Sequence, residues 1–299
     1  MGKIELVTRR IKSVGFLILT NFTRSLQIST GTTIAIAIPT QKLCSHSFYL
    51  PAIQTLDLCL DNPARFSWPA AIAPDPTTLT SLTLRHVRES ALKGILSCTK
   101  RLIKLDWQFL YSERNIATRQ KAPPPQIADL DVLIDALTPV QDTLKDLTVG
   151  ADAIQAGLDY ESSIEVRGSL KRLVEFDKVE RLQVPLPFLA GRLIPNNRLC
   201  VSEQNPKNLR TLAINEGLRD FGEDDWDNEI SLNLLDWLYE GLGSTPFIEQ
   251  LDLGLVTGHG EGGFCCELKR LLGKERVPIK VTWHGKPQGA EPNITSTTQ

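Results

Sequence analysis

One short arrangement of apolar and polar positions recurs along the chain: an apolar residue, two others, an apolar residue, one other, and a third apolar residue. It occurs at Ile53–Leu58 (IQTLDL), Leu79–Leu84 (LTSLTL), Leu102–Trp107 (LIKLDW) and Leu144–Val149 (LKDLTV). It returns at Val179–Val184 (VERLQV), Leu209–Ile214 (LRTLAI) and Ile248–Leu253 (IEQLDL). Leu170 opens a weaker copy, LKRLVEF, which reads as the approach to the Val179 unit. Ile279–Trp283 (IKVTW) is an apolar strand that closes the array. The alternation at the end of each copy predicts a strand with one buried face. The central leucines are 56, 82, 105, 147, 182, 212 and 251, separated by 26, 23, 42, 35, 30 and 39 residues. The longer intervals imply insertions between strands.

Helical periodicity fills several of these intervals. In ESALKGILSCTK, residues Leu92, Ile95, Leu96 and Thr99 share a face. In IADLDVLIDALTPV, Ile127, Leu130, Ile134 and Leu137 do, with Asp129 near the start and Pro123–Pro125 fencing the segment off. SLNLLDWLYEGLG aligns Leu235, Leu238 and Leu242 between a Ser231 cap and a Gly243 stop. FCCELKRLLG aligns Phe264, Leu268, Leu271 and Leu272.

A strand with its returning helix or loop cannot bury its apolar side alone. Stacked units can, because their Leu, Ile and Val rows form one continuous core. The expected fold is therefore α/β, an irregular leucine-rich-repeat solenoid: a curved parallel sheet with helices and loops on the convex side. The first two leucine separations fall within the about 20–29 residues per repeat of such arrays. Strand alternation puts the intervening residues on the opposite, concave face. The candidate protein-binding residues there are Asp57, Arg85, Lys104, Asp106, Gln108, Asp146, Arg181, Asn215 and Asp252, with Thr83, Thr148, Gln183 and Ala213 among them. This face is polar and of mixed sign.

The blocks Leu79–Glu113, Thr143–Asp152, Gly168–Gly191 and Pro206–Leu218, in that order and phrasing, resemble fungal leucine-rich-repeat proteins of the F-box-like kind, over about residues 50–275. The resemblance implies a solenoid for protein recognition, in some members the substrate receptor of an SCF-type ubiquitin ligase, which binds a ligase adaptor. An F-box would place three amphipathic helices near a Leu-Pro pair in about the first fifty residues; residues 1–48 show no such pattern. The repeat consensus also ends on an Asn or Cys that bonds the turn. Here those positions are Asp61, Val87, Leu110, Asp152, Pro187, Gly217 and Val256, so the turns must be built differently.

Charge divides the chain. Residues 1–48 carry six basic residues and one acid, net +5, out of a total of −2 for 299 residues. We read 1–48 as a basic N-terminal extension, 49–284 as the repeat domain, and 285–299, rich in Pro, Gly and Thr, as a loose tail. The basic, acid-poor start also has the composition of an organelle transit segment. Nothing reaches the ~18 apolar residues of a membrane span. Near-neutral overall charge argues against a nucleic-acid binder. The six cysteines show no C-x-x-C pair, and the Cys/His neighbourhoods in sequence (Cys44 with His46; His259 with Cys265 and Cys266) lack metal-ligand spacing. Reduced thiols point to a cytoplasmic or nuclear setting.

Three segments could carry other chemistry. Gly258, Gly260 and Gly263 spell G-x-G-x-x-G between a strand and a helix, the context of a pyrophosphate loop, and so an alternative reading as a nucleotide-dependent enzyme. Against it, Glu261 sits in the loop, and the position about 20 residues on is near Pro278 rather than an acid. EDDWDNE (Glu223–Glu229) lacks calcium-loop spacing and precedes a helix, where acids favour the dipole. Its Trp226 is a candidate interface anchor. No G-x-S-x-G is present, and none of the four histidines has a base role assigned by a motif. The sequence thus predicts a non-catalytic recognition protein with no cofactor and no metal.

Overall fold

The computed structural model describes residues 26–28, 33–37, 45–50, 52–60, 63, 66–112, 127–154, 165–185, 188–189, 205–215, 247–255 and 279–283. The chain is an α/β protein with a mostly parallel main sheet. Its strands are β1 (Leu26–Ile28), β2 (Thr33–Ala37), β3 (Thr55–Cys59), β4 (Ser81–Arg85), β5 (Lys104–Ser112), β7 (Asp146–Ile154), β9 (Arg181–Pro185), β10 (Thr211–Asn215), β11 (Gln250–Leu255) and β12 (Ile279–Trp283). They lie side by side in chain order. β1 runs antiparallel to β2, and every later pairing is parallel. The sheet therefore reaches into the first 48 residues. A separate parallel pair joins β6 (Ile127–Asp129) to β8 (Glu165–Arg167).

All seven copies of the apolar pattern become strands, and so does Ile279–Trp283. The register explains why. Leu56, Leu82, Leu105, Leu147, Leu182, Leu212 and Leu251 stand opposite one another across seven consecutive strands. All seven are buried. The third apolar position forms a second buried row of Leu58, Leu84, Trp107, Val149, Val184 and Ile214. Trp107 sits in the core as its repeat position predicts, and its indole N–H donates to the Val87 carbonyl at 2.7 Å. The first position, just before each strand, gives a third buried row: Ile53, Leu79, Leu102, Leu144, Val179, Leu209 and Ile248.

Four strand entrances are built the same way. A tight turn brings in the first apolar residue: the backbone N–H groups of Leu79, Leu102, Val179 and Leu209 donate to the carbonyls of Pro76, Thr99, Phe176 and Pro206. One carbonyl of each unit then accepts two N–H groups of the next. Gln54 takes Thr80 and Ser81; Thr80 takes Ile103 and Lys104; Ile103 takes Lys145 and Asp146. Lys145 takes Glu180 and Arg181, Glu180 takes Arg210 and Thr211, and Arg210 takes Glu249 and Gln250. These strand-to-strand bonds satisfy the entrance amides.

Among the described residues, two eight-residue helices return between strands. α1 (Glu89–Leu96) buries Ala91, Leu92, Ile95 and Leu96, the face its period predicts. α2 (Leu130–Leu137) buries Leu130, Leu133, Ile134, Ala136 and Leu137. Its start differs from the sequence expectation: Ile127 belongs to β6, and the helix begins after Asp129, whose carboxylate caps it by accepting the Val132 N–H at 3.0 Å. The weaker copy at Leu170 leads into the Val179 unit as a turn. Lys171–Glu175 forms a 3-10 turn that buries Leu173. The expected helices after Ser231 and Phe264, and the tail 285–299, lie outside the described residues.

Candidate functional site

On the face opposite the leucine rows, register aligns the polar positions into three lines. The first runs Ser81, Lys104, Asp146, Arg181, Thr211 and Gln250. The second runs Asp57, Thr83, Asp106, Thr148, Gln183, Ala213 and Asp252. The third includes Cys59, Arg85, Gln108 and Gly150, and further along Pro185, Asn215 and Gly254. All nine candidate face residues thus fall on one side of one sheet. Trp226 lies outside the described residues, as do Glu223–Glu229 and the Gly258–Gly263 loop.

The face is internally wired. Asp146 is nearly buried and accepts from Arg181, Nη2 at 2.9 Å and Nε at 3.2 Å, while the Lys104 ammonium stands 3.6 Å from the same carboxylate oxygen. The two cations remain half or more exposed. Arg85 donates to Asp57 at 2.8 Å. Gln108 donates its amide to Asp106 at 2.7 Å and lies across Gly150, whose missing side chain leaves the space. Burial raises the Asp57 carboxyl above its ordinary value; Arg85 opposes this, and the Asp106 charge adds to it. The result is a pre-ordered polar surface whose long side chains stay solvated.

Two features were not legible in the sequence. His86, at the end of β4, has a left-handed backbone (φ 56°), and its Nδ1 lies 3.6 Å from the Cys59 Sγ of β3. These residues are 27 positions apart, so no local Cys/His spacing signals them. The second is a groove of about 560 Å³ along the strand entrances, with Ile103 and Phe247 as its exposed apolar residues and Arg101, Lys145, Lys178 and Arg210 as its cations. Lys145 pairs with Glu180 at 3.3 Å and Arg210 with Glu249 at 2.6 Å. Among the described residues, no group of three His, Cys, Asp or Glu side chains could hold a metal ion. No helix of the described residues is long and apolar enough to cross a membrane.

Fold and face together define an α/β protein with a largely parallel, chain-ordered sheet and an ordered polar surface on one side. No known protein-family model matches the sequence, and no curated protein matches it.

Proposed function

We propose that the chain is an irregular solenoid of the leucine-rich-repeat kind and a non-catalytic recognition protein, which binds a protein partner through the polar face of its sheet. The observation that carries this reading is the register: seven strands in chain order hold the central leucines on one side and the nine candidate face residues on the other. Such a surface suits protein recognition because its side chains are fixed by neighbours, which lowers the ordering cost of binding. Its mixed signs favour a partner with complementary charges and a defined orientation.

The test is to fill the face without breaking its ion pairs. Thr83 and Thr148 lie on the middle line and are only half-buried. Thr83→Arg with Thr148→Arg should leave the melting temperature within about 2 °C, as surface changes do. It should weaken capture of the wild-type protein's partners, read by mass spectrometry, by at least about tenfold. Unchanged capture by the doubly substituted protein would refute the strand face as the binding surface. Recovery of a ligase adaptor with cullin subunits by the wild type would assign the substrate-receptor role.

A further inference from the structure

We propose that Cys59 and His86 form a nucleophilic thiol–imidazole site, whose thiol is oxidised by a hydroperoxide to a sulfenic acid. The argument starts from strand alternation. In β4, Leu82 and Leu84 point into the core, so an extended chain would send residue 86 inward as well. It does not, because the left-handed turn at His86 hands the buried position to Val87, which is fully covered. Three contacts hold this arrangement: the His86 N–H donates to the Gln108 carbonyl at 2.8 Å, the Trp107 indole donates to the Val87 carbonyl, and Val87 fills the core. Left-handed backbone is uncommon outside glycine and worth attention where it places a reactive side chain. Here it moves an imidazole from the core side to within hydrogen-bond reach of a thiol on the neighbouring strand.

Cys59 stands opposite Arg85 in register, and Arg85 is itself held by Asp57. Among the described residues, the thiol has Arg85 of β4 and the uncharged Ala37 of β2 as its register partners, His86 just after β4 in contact, and Asp57 two positions back on its own strand. Cys59 is only half-buried, which leaves room for a small oxidant. Cys98 is the internal contrast. It is buried, donates its thiol to the Ile95 carbonyl at 3.1 Å, and burial pushes its pKa up to about 12.

The chemistry balances without a metal. The imidazole takes the thiol proton. The thiolate sulfur attacks one peroxide oxygen, so the S–O bond forms as the O–O bond breaks. The departing oxygen takes the proton from the imidazolium. The thiol becomes a sulfenic acid, the hydroperoxide becomes water or an alcohol, and the imidazole ends neutral.

The full-length protein tests this by peptide mapping. With iodoacetamide at about pH 7, Cys59 should be alkylated at least about ten times faster than Cys98, because the thiolate is the reacting form. With hydrogen peroxide and dimedone, the dimedone adduct should map to Cys59. His86→Asn and His86→Gly both accept a left-handed backbone, so each should fold while removing the base. Both should slow Cys59 alkylation by about fivefold or more. Added imidazole should restore part of the rate to His86→Gly and leave the wild type unchanged. Equal Cys59 rates in the wild type and both variants, or no dimedone adduct at Cys59, would overturn the proposal. Should neither variant fold, the dimedone mapping still decides it.

Discussion

Glu89 shows how much one residue's environment can differ from its sequence context. It opens α1 as a helix-favouring acid, yet it is buried, with Arg88 Nη2 at 3.4 Å from one carboxylate oxygen. The other oxygen has no hydrogen-bond partner among the described residues. Arg88 divides its attention: it also donates to the Ile127 carbonyl at 3.1 Å and stacks over the Phe109 ring. Burial raises the Glu89 carboxyl above its ordinary value of 4.5, Arg88 opposes that, and Asp129 adds to the rise. The folded state therefore holds this proton more tightly than the unfolded state. The stability it contributes is complete below the ordinary value and is lost as pH climbs through the raised one. Glu89→Gln should accordingly gain urea stability relative to the wild type between about pH 4 and about pH 7, and a flat difference would contradict the burial argument. Neither this residue nor the Cys59–His86 contact could be read from local spacing. Both depend on which strand lies beside which, and the second also needs one left-handed residue.

At the scale of elements, the apolar motif was fully legible, since its three positions bury in three rows. The boundaries between elements were less so. Helical period alone extended α2 back to Ile127, because a strand residue one turn before a helix can share its face by chance. What starts the helix is Asp129, whose carboxylate satisfies an otherwise orphaned amide. Asp129→Ala should cost about 1 kcal/mol in urea unfolding, while Asp129→Asn, which keeps an acceptor, should cost less. The β6–β8 pair escaped because three-residue strands carry no periodic signal. Gly168, just beyond β8, has φ 76°, and a side chain there would collide with the Asp131 carboxylate. Lys171–Glu175 was legible as the approach to the Val179 unit, while its 3-10 form, which buries Leu173, carries no periodic signal.

For the whole molecule, the order of strands in the main sheet follows the order of the chain, and each is hydrogen-bonded to its neighbours in that order. Leu147 lies in the middle of the central row and is buried on both sides by Leu105 and Leu182. Leu147→Ala should cost about 2–5 kcal/mol. Hydrogen exchange should show the loss of protection first in β5 and β9, before it reaches β3 or β11, because stability in such a stack is a sum of neighbour terms. The parallel, chain-ordered sheet was legible because its strands share one leucine-centred pattern. The polar face was legible by alternation, while its wiring through Asp146, Gln108 and Arg85 required the register. The same serial arrangement sets how the protein meets mechanical load. With β1 at one margin of the described sheet and β12 at the other, tension applied across those two strands would undo a single seam at a time. The molecule would yield like a zip at modest force, without the sudden rupture of a sheet sheared across all its rungs together.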